Sequence, residues 1–241
     1  MNLVEIFSSV QGEGPHVGAT TLFVRFGECD LRCRWCDSPH TWRPALECRV
    51  GSRSIPNPVP IEAALEAVLA LGLARHRFVA FTGGEPLLQP EAVAALAEAL
   101  RGRGPRLFLE THGLAAEALG AVVHLLDVVS MDWKLASEVR GPGWPFHEAH
   151  SRFLEVARKA PEVIVKIVVT AASEDAEIDE AVARVAAQDP SISLVLQPVT
   201  PFGAVRERPD ARRLLELVER ASRSLRDVRL IPQTHPLIGA P

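Results

Sequence analysis

The sequence predicts an α/β fold, a partial (β/α) barrel of about six parallel strands formed by one domain over residues 1–241. Three observations carry this. From residue 77 onward, short runs rich in Val, Ile, Leu and Phe alternate with segments whose apolar residues recur three or four apart. Such alternation implies parallel strands joined by right-handed helical crossovers. The 241 residues are 47% hydrophobic and 23% charged, a balance that suits a chain able to bury a substantial core.

The elements follow in order. "TTLFVRF" (20–26) is the first core strand and "PIEAALEAVLALGLA" (60–74) an amphipathic helix. The later strands are "RFVAFTG", "RLFLET", "DVVSMD", "EVIVKIVV", "SISLVLQP" and "DVRLIPQ". Between them, "PEAVAALAEALRGR", "AHSRFLEVARKA", "EDAEIDEAVARVAAQ" and "PDARRLLELVERASRSL" have helical spacing, as in Leu214, Leu217, Val218, Ala221 and Leu225. Fewer strands than the eight of a closed barrel leave a partial barrel and an open doubly wound sheet both compatible with the pattern. Residues 43–60 and 135–148, dense in Pro, Arg or Gly, read as loops.

The formal net charge of −4 gives no overall basic field, so general nucleic-acid binding is not expected. The opening "MNLVEIFSSVQGEG" lacks a basic segment followed by an apolar run, and no uncharged apolar stretch reaches the length of a membrane span. A cytoplasmic protein without a membrane partner is the expectation. In a reducing compartment, closely spaced cysteines point to metals or redox groups rather than structural disulfides.

Cys29, Cys33 and Cys36 stand as C-x₃-C-x₂-C directly after the first strand. Three thiolates on a four-iron cluster leave one iron open to a small molecule, whereas electron-carrier clusters usually take four cysteines. Structural zinc is the alternative, because His40 completes a Cys₃His set. Arg32 and Arg34 are expected to favour the thiolate forms. Cys48 has no spaced partner and reads as an incidental thiol.

With "FTGGEP" at 81–86 following the cysteines, the sequence resembles the radical S-adenosylmethionine (SAM) superfamily. Gly83 and Gly84 would let backbone approach a ligand, and Glu85 would offer a carboxylate to an ammonium group. "SSVQGEGPHVGATTLFVRF", "CDS", "ETHG" and "QTHPLIGAP" extend the resemblance, over nearly the whole chain, to the 7-carboxy-7-deazaguanine synthases of the queuosine and 7-deazapurine pathway. The resemblance implies a lyase-type enzyme using a 4Fe-4S cluster, SAM and Mg²⁺ on a pterin substrate, usually as a homodimer.

By the same resemblance, Val10, Gln11, Gly12, Glu13, Arg25, Thr82 and the terminal carboxylate of Pro241 bind substrate. Arg25 suits a carboxylate because its fork pairs with one bidentately. Trp35, Asp37, Gly84, Glu85, Asp132 and Lys134, with "QPVT" from Gln197 through Pro198 and Val199 to Thr200, are expected at SAM. Cys29, Cys33 and Cys36 would hold the cluster and the Ser38 hydroxyl would ligate Mg²⁺. "SMDWK" leaves Ser130 and Asp132 as alternatives, Glu110 and Thr111 divide between site lining and capping, and His235 reads as structural. A basic rim near the cluster would suit an acidic, flavodoxin-like electron donor. The rivals are a glycyl-radical-enzyme activating protein and a non-catalytic zinc-stabilised binding module.

Overall fold

The computed structural model describes residues 1–140 and 145–239. Its strands are β1 (Leu3–Val10), β2 (Thr20–Phe26), β3 (Arg32–Cys33), β4 (Glu47–Val50), β5 (Arg53–Pro56), β6 (Phe78–Gly83), β7 (Arg106–Thr111), β8 (Val128–Asp132), β9 (Val139–Arg140), β10 (Glu162–Val169), β11 (Ser193–Pro198) and β12 (Asp227–Leu230). Its α-helices are α1 (Ile61–Ala70), α2 (Pro90–Leu100), α3 (Ala116–Val122), α4 (Phe146–Ala157), α5 (Asp175–Gln188) and α6 (Ala211–Ala221). Ten strands form one sheet in the order β12-β11-β10-β8-β7-β6-β2-β1-β4-β5, while β3 and β9 make a separate short ladder.

From β2 through β6, β7, β8, β10 and β11 to β12 every pairing is parallel, which gives seven parallel strands where the sequence suggests about six. The last, β12, is short and half exposed. The open end is extended by β1, antiparallel to β2, and by the β4–β5 hairpin beyond it.

Period-two alternation sorts this sheet into two faces. Leu22, Val24, Phe81, Leu109, Val129, Ile167 and Leu196 point outward and share one core with the apolar faces of the helices. Phe23, Phe78, Ala80, Phe108, Val128, Ile164 and Val195 point inward and form a second cluster. His16, from the β1–β2 connection, packs on that cluster with its ring 4.8 Å from Phe78 and 6.0 Å from Phe108. Further along the same inward registers the residues turn polar: Arg25, Thr82, Glu110, Asp132, Lys166 and Gln197. One alternation thus fills one end of the half-barrel with apolar rings and lines the other with charge.

Two expectations are corrected here. Residues 43–60 contain the β4–β5 hairpin, because Cys48 and Val50 alternate into the helix-side core while Glu47 and Arg49 lie on the opposite, exposed face. Residues 135–148 contain β9, which pairs Val139 with Cys33, and the first turn of α4. Among the described residues no helix is long and apolar enough to cross a membrane.

Candidate active site

The polar ends of the inner face open into a cavity of about 470 Å³. Cys29, Cys33 and Cys36 line one side of it, joined by Trp35, Asp37 and Ser38 from the same loop. This loop leaves β2 through Gly27 and Glu28, the latter at φ 73°. The glycines of "TGGEP" shape its entry. A Cβ on Gly83 would stand 2.2 Å from the Phe26 carbonyl oxygen, and one on Gly84 would stand 2.0 Å from that of Glu28. Protein backbone, not a ligand, fills the space these glycines leave, so they first serve to seat the cysteine loop against the end of β6.

The opposite wall is an alternating chain of charge. Lys166 donates to Glu13 and lies 3.0 Å from Asp132, which accepts from Lys134 at 2.6 Å. Burial pushes the Asp132 carboxyl up, but Lys134 and Lys166 outweigh it and leave its pKa lowered to about 2. Burial likewise opposes charge on both lysines, yet the carboxylates beside them hold both above the ordinary lysine value. Gln233 donates to Glu13 at 2.6 Å and to Asp37 at 3.0 Å, tying this wall to the cysteine loop.

Between the two sides, Glu110 accepts from Gln11 at 2.7 Å and from Thr82 at 2.5 Å. Its carboxyl is held above the usual range, chiefly by burial. Arg25 donates through Nε to Glu5 at 2.8 Å, and Arg49 donates to the other Glu5 oxygen at 2.9 Å. Two guanidiniums on one carboxylate leave a net positive patch on the cavity.

Comparison with known proteins fits this geometry. Residues 24–172 match the family model described as the radical SAM superfamily. A 7-carboxy-7-deazaguanine synthase of Geobacter sulfurreducens is 38% identical, over 98% of this chain and 96% of its own length. That of Methanopyrus kandleri is 38% identical over 99% of this chain and 93% of its own. This chain belongs to the radical SAM superfamily and, within it, to the 7-carboxy-7-deazaguanine synthases. The crystal structure of QueE from Escherichia coli shares the fold, with a TM-score of 0.64 at 24% identity over 97% of this chain and 93% of that one.

A radical SAM enzyme uses a 4Fe-4S cluster and SAM, and the residues present fit both. The three thiols edge the cavity together, raised in pKa above all by burial, while Lys134 acts against that rise at Cys33 and Cys36. Lys134 is thus a cation that favours the thiolate forms of Cys33 and Cys36. Arg32 donates to the Cys29 and Leu31 carbonyls and stacks on Trp42 at 4.9 Å, and Arg34 pairs with Glu138. His40 borders the same cavity, and burial, then Arg25, hold its pKa below the usual value. At the far end of β11 the side-chain oxygen of Gln197 is buried without a hydrogen-bond partner among the described residues, an acceptor suited to an amino or hydroxyl donor of a bound molecule.

The cavity brings together Val10, Gln11, Gly12, Glu13, Arg25 and Thr82 with Gly84, Asp132, Lys134 and Gln197. Ser130, Glu110 and Thr111 border it as well. Four of the residues expected at SAM do not border this cavity. Glu85 is fully buried, accepting from the Leu87 and His112 backbone N–H groups and the Thr111 hydroxyl, because it caps the turn after β6. Val199 packs with Val168, Val205 and Trp35, and neither it nor Pro198 and Thr200 borders the cavity. Pro241 lies outside the described residues. Sequence reading missed Lys166, Glu5 and Gln233. A lysine in the middle of the apolar run "EVIVKIVV" was the available signal for the first.

Proposed function

We propose that this enzyme converts 6-carboxy-5,6,7,8-tetrahydropterin to 7-carboxy-7-deazaguanine with loss of ammonia. One observation carries the reading: cysteine loop, carboxylate-and-amide wall and arginine patch face a single cavity. Bound together, cluster and SAM supply a carbon-centred radical able to remove a hydrogen atom from a substrate.

The chain's own residues position that substrate. Glu13, fixed by Lys166 and Gln233, accepts from the N–H edge of the pterin, and Gln11 and Thr82 complete that edge. Arg25 presents its remaining N–H groups to the substrate carboxylate while Glu5 holds its Nε. Phe7 and Phe23, stacked 5.1 Å apart, give the ring an apolar wall. Ser38, whose hydroxyl now donates to Asp37 at 3.0 Å, supplies a protein oxygen for Mg²⁺, with substrate and water completing its coordination.

The C-terminal segment closes one side of this pocket. Thr234 N–H donates to the Gly12 carbonyl at 2.9 Å, and a Cβ on Gly12 would meet His235 Nδ1 at 2.4 Å. We also infer a homodimer, for which the exposed Leu46, Leu237 and Ile238 are suitable cover, and a flavodoxin-like donor approaching the exposed Arg32 and Arg43. Four free cysteines suit a cytoplasmic setting.

The test is anaerobic incubation of iron-loaded protein with SAM, Mg²⁺, a reductant and the tetrahydropterin. Mass spectrometry should find the deazaguanine product. Accumulation of 5′-deoxyadenosine without it would overturn the substrate assignment.

A further inference from the structure

Glu138 is a carboxylate outside the cavity, with its side chain wholly excluded from solvent. Nothing in the chemistry above uses it. A buried carboxylate persists only where charge and hydrogen bonds meet it. One oxygen accepts from the hydroxyls of Thr170 and Ser173, and the other accepts from Arg34 Nη1 at 3.3 Å.

Arg34 sits inside the cysteine motif, between Cys33 and Cys36. The same stretch is fastened twice more outside its thiols. Cys33 pairs with Val139 in the β3–β9 ladder, and the Ala204 N–H donates to the Arg34 carbonyl at 3.3 Å. Thr170 and Ser173 form the turn after β10, where Arg213 of α6 donates to the Thr170 and Ala171 carbonyls at 3.0 Å. One carboxylate therefore joins the Cys33–Cys36 turn to the sheet and helices behind it. A loop held by its ligands alone could re-aim its thiolates, whereas attachment on several sides fixes their directions.

We propose that Glu138 is a positioning residue for the 4Fe-4S cluster, acting through Arg34 to hold the Cys33-Arg34-Trp35-Cys36 turn in ligating geometry. The proposal rests on assignment of the cluster to Cys29, Cys33 and Cys36. It gives the segment after β8 a task, because Glu138 and Val139 then brace the loop from the side away from the cavity.

The experiment follows iron release from the anaerobically reconstituted holoenzyme to a ferrous chelator. Glu138→Gln keeps size and the capacity to bond Thr170 and Ser173 but loses the charge. It should release iron about ten- to hundredfold faster than wild type, the range typical of groups that orient metal ligands. Arg34→Met should do the same, and the double variant should be no faster than the singles. Wild-type release rates in both singles, or single effects that multiply in the double, would overturn the proposal. So would a lower melting temperature of the apoprotein with unchanged iron release, which would assign Glu138 to fold stability alone. If Glu138→Gln fails to fold, Arg34→Met carries the test, since its side chain is 42% exposed. Failure of wild-type turnover with the pterin would count against the proposed substrate and leave the iron comparison intact.

Discussion

Lys166 Nζ lies 3.0 Å from Asp132 Oδ1, joining β10 to β8 at the polar end of the inner face. Lys166 also donates to Glu13, so one buried cation serves two carboxylates. Removing it leaves both charges short of a partner, the situation in which a buried pair is most costly to break. Lys166→Met should destabilise the apoprotein by about 3–5 kcal/mol in urea unfolding. It should also raise KM for the pterin, since Glu13 loses its anchor. Adding Asp132→Asn should cost less than the sum of the two singles, because the groups share one network.

The pH dependence of stability should carry the mark of His150. Its Nδ1–H donates to the Gly113 carbonyl at 2.7 Å and its Nε2 accepts from the Lys134 N–H at 2.8 Å, an arrangement only the neutral ring can make. Burial, the largest cause, pushes its pKa down to about 3. Between that value and an unfolded value of about 6.5, the unfolded chain binds the proton and the folded chain does not. Stability should therefore fall as pH drops through this window, by up to about 1.4 kcal/mol per unit. Thermal unfolding of His150→Gln should show a shallower decline from pH 6 to pH 4. An unchanged slope would remove His150 as its source.

What could be read in the sequence divides along physical lines. The strands from β6 onward other than β9, and all helices except α3, were legible because continuous apolar runs and helical periodicity report burial directly. Strand β1 was not, since Glu5, Ser8 and Ser9 interrupt its apolar run. Hairpin β4–β5 was hidden by Arg49, which pairs with Glu5 of β1. Site residues at strand ends were found through motifs, whereas Lys166 and Glu138 belong to no motif and acquire meaning only from partners distant in sequence. Glu85 shows the opposite error: a motif residue read as ligand-facing that the fold spends on a cap.

Two glycine substitutions should act in opposite directions. Alanine at Gly84 would place a methyl group against the Glu28 carbonyl, with the Thr41 carbonyl oxygen at 2.9 Å, and backbone cannot swing aside as a flexible side chain can. Gly84→Ala should cost about 1–3 kcal/mol, the range for overpacking, and lower the iron bound per chain after reconstitution. Gly120, exposed within α3, has nothing within 4 Å of an added Cβ. Gly120→Ala should stabilise by about 0.5–1 kcal/mol and leave iron content unchanged.

Gln197 separates binding from folding. Its side-chain oxygen is buried without a hydrogen-bond partner among the described residues, and an acceptor left so costs about 1–3 kcal/mol. Replacement by Met keeps much of the volume and removes the polar atoms. Apoprotein carrying Gln197→Met should thus be more stable than wild type, while the cluster-loaded form should bind SAM about tenfold more weakly, the value of one hydrogen bond at roughly 1.4 kcal/mol. Denaturant unfolding and equilibrium SAM binding on the two forms check this. A variant that lost apoprotein stability would mean that the oxygen is already satisfied, and SAM affinity equal to wild type would remove Gln197 from the cofactor site.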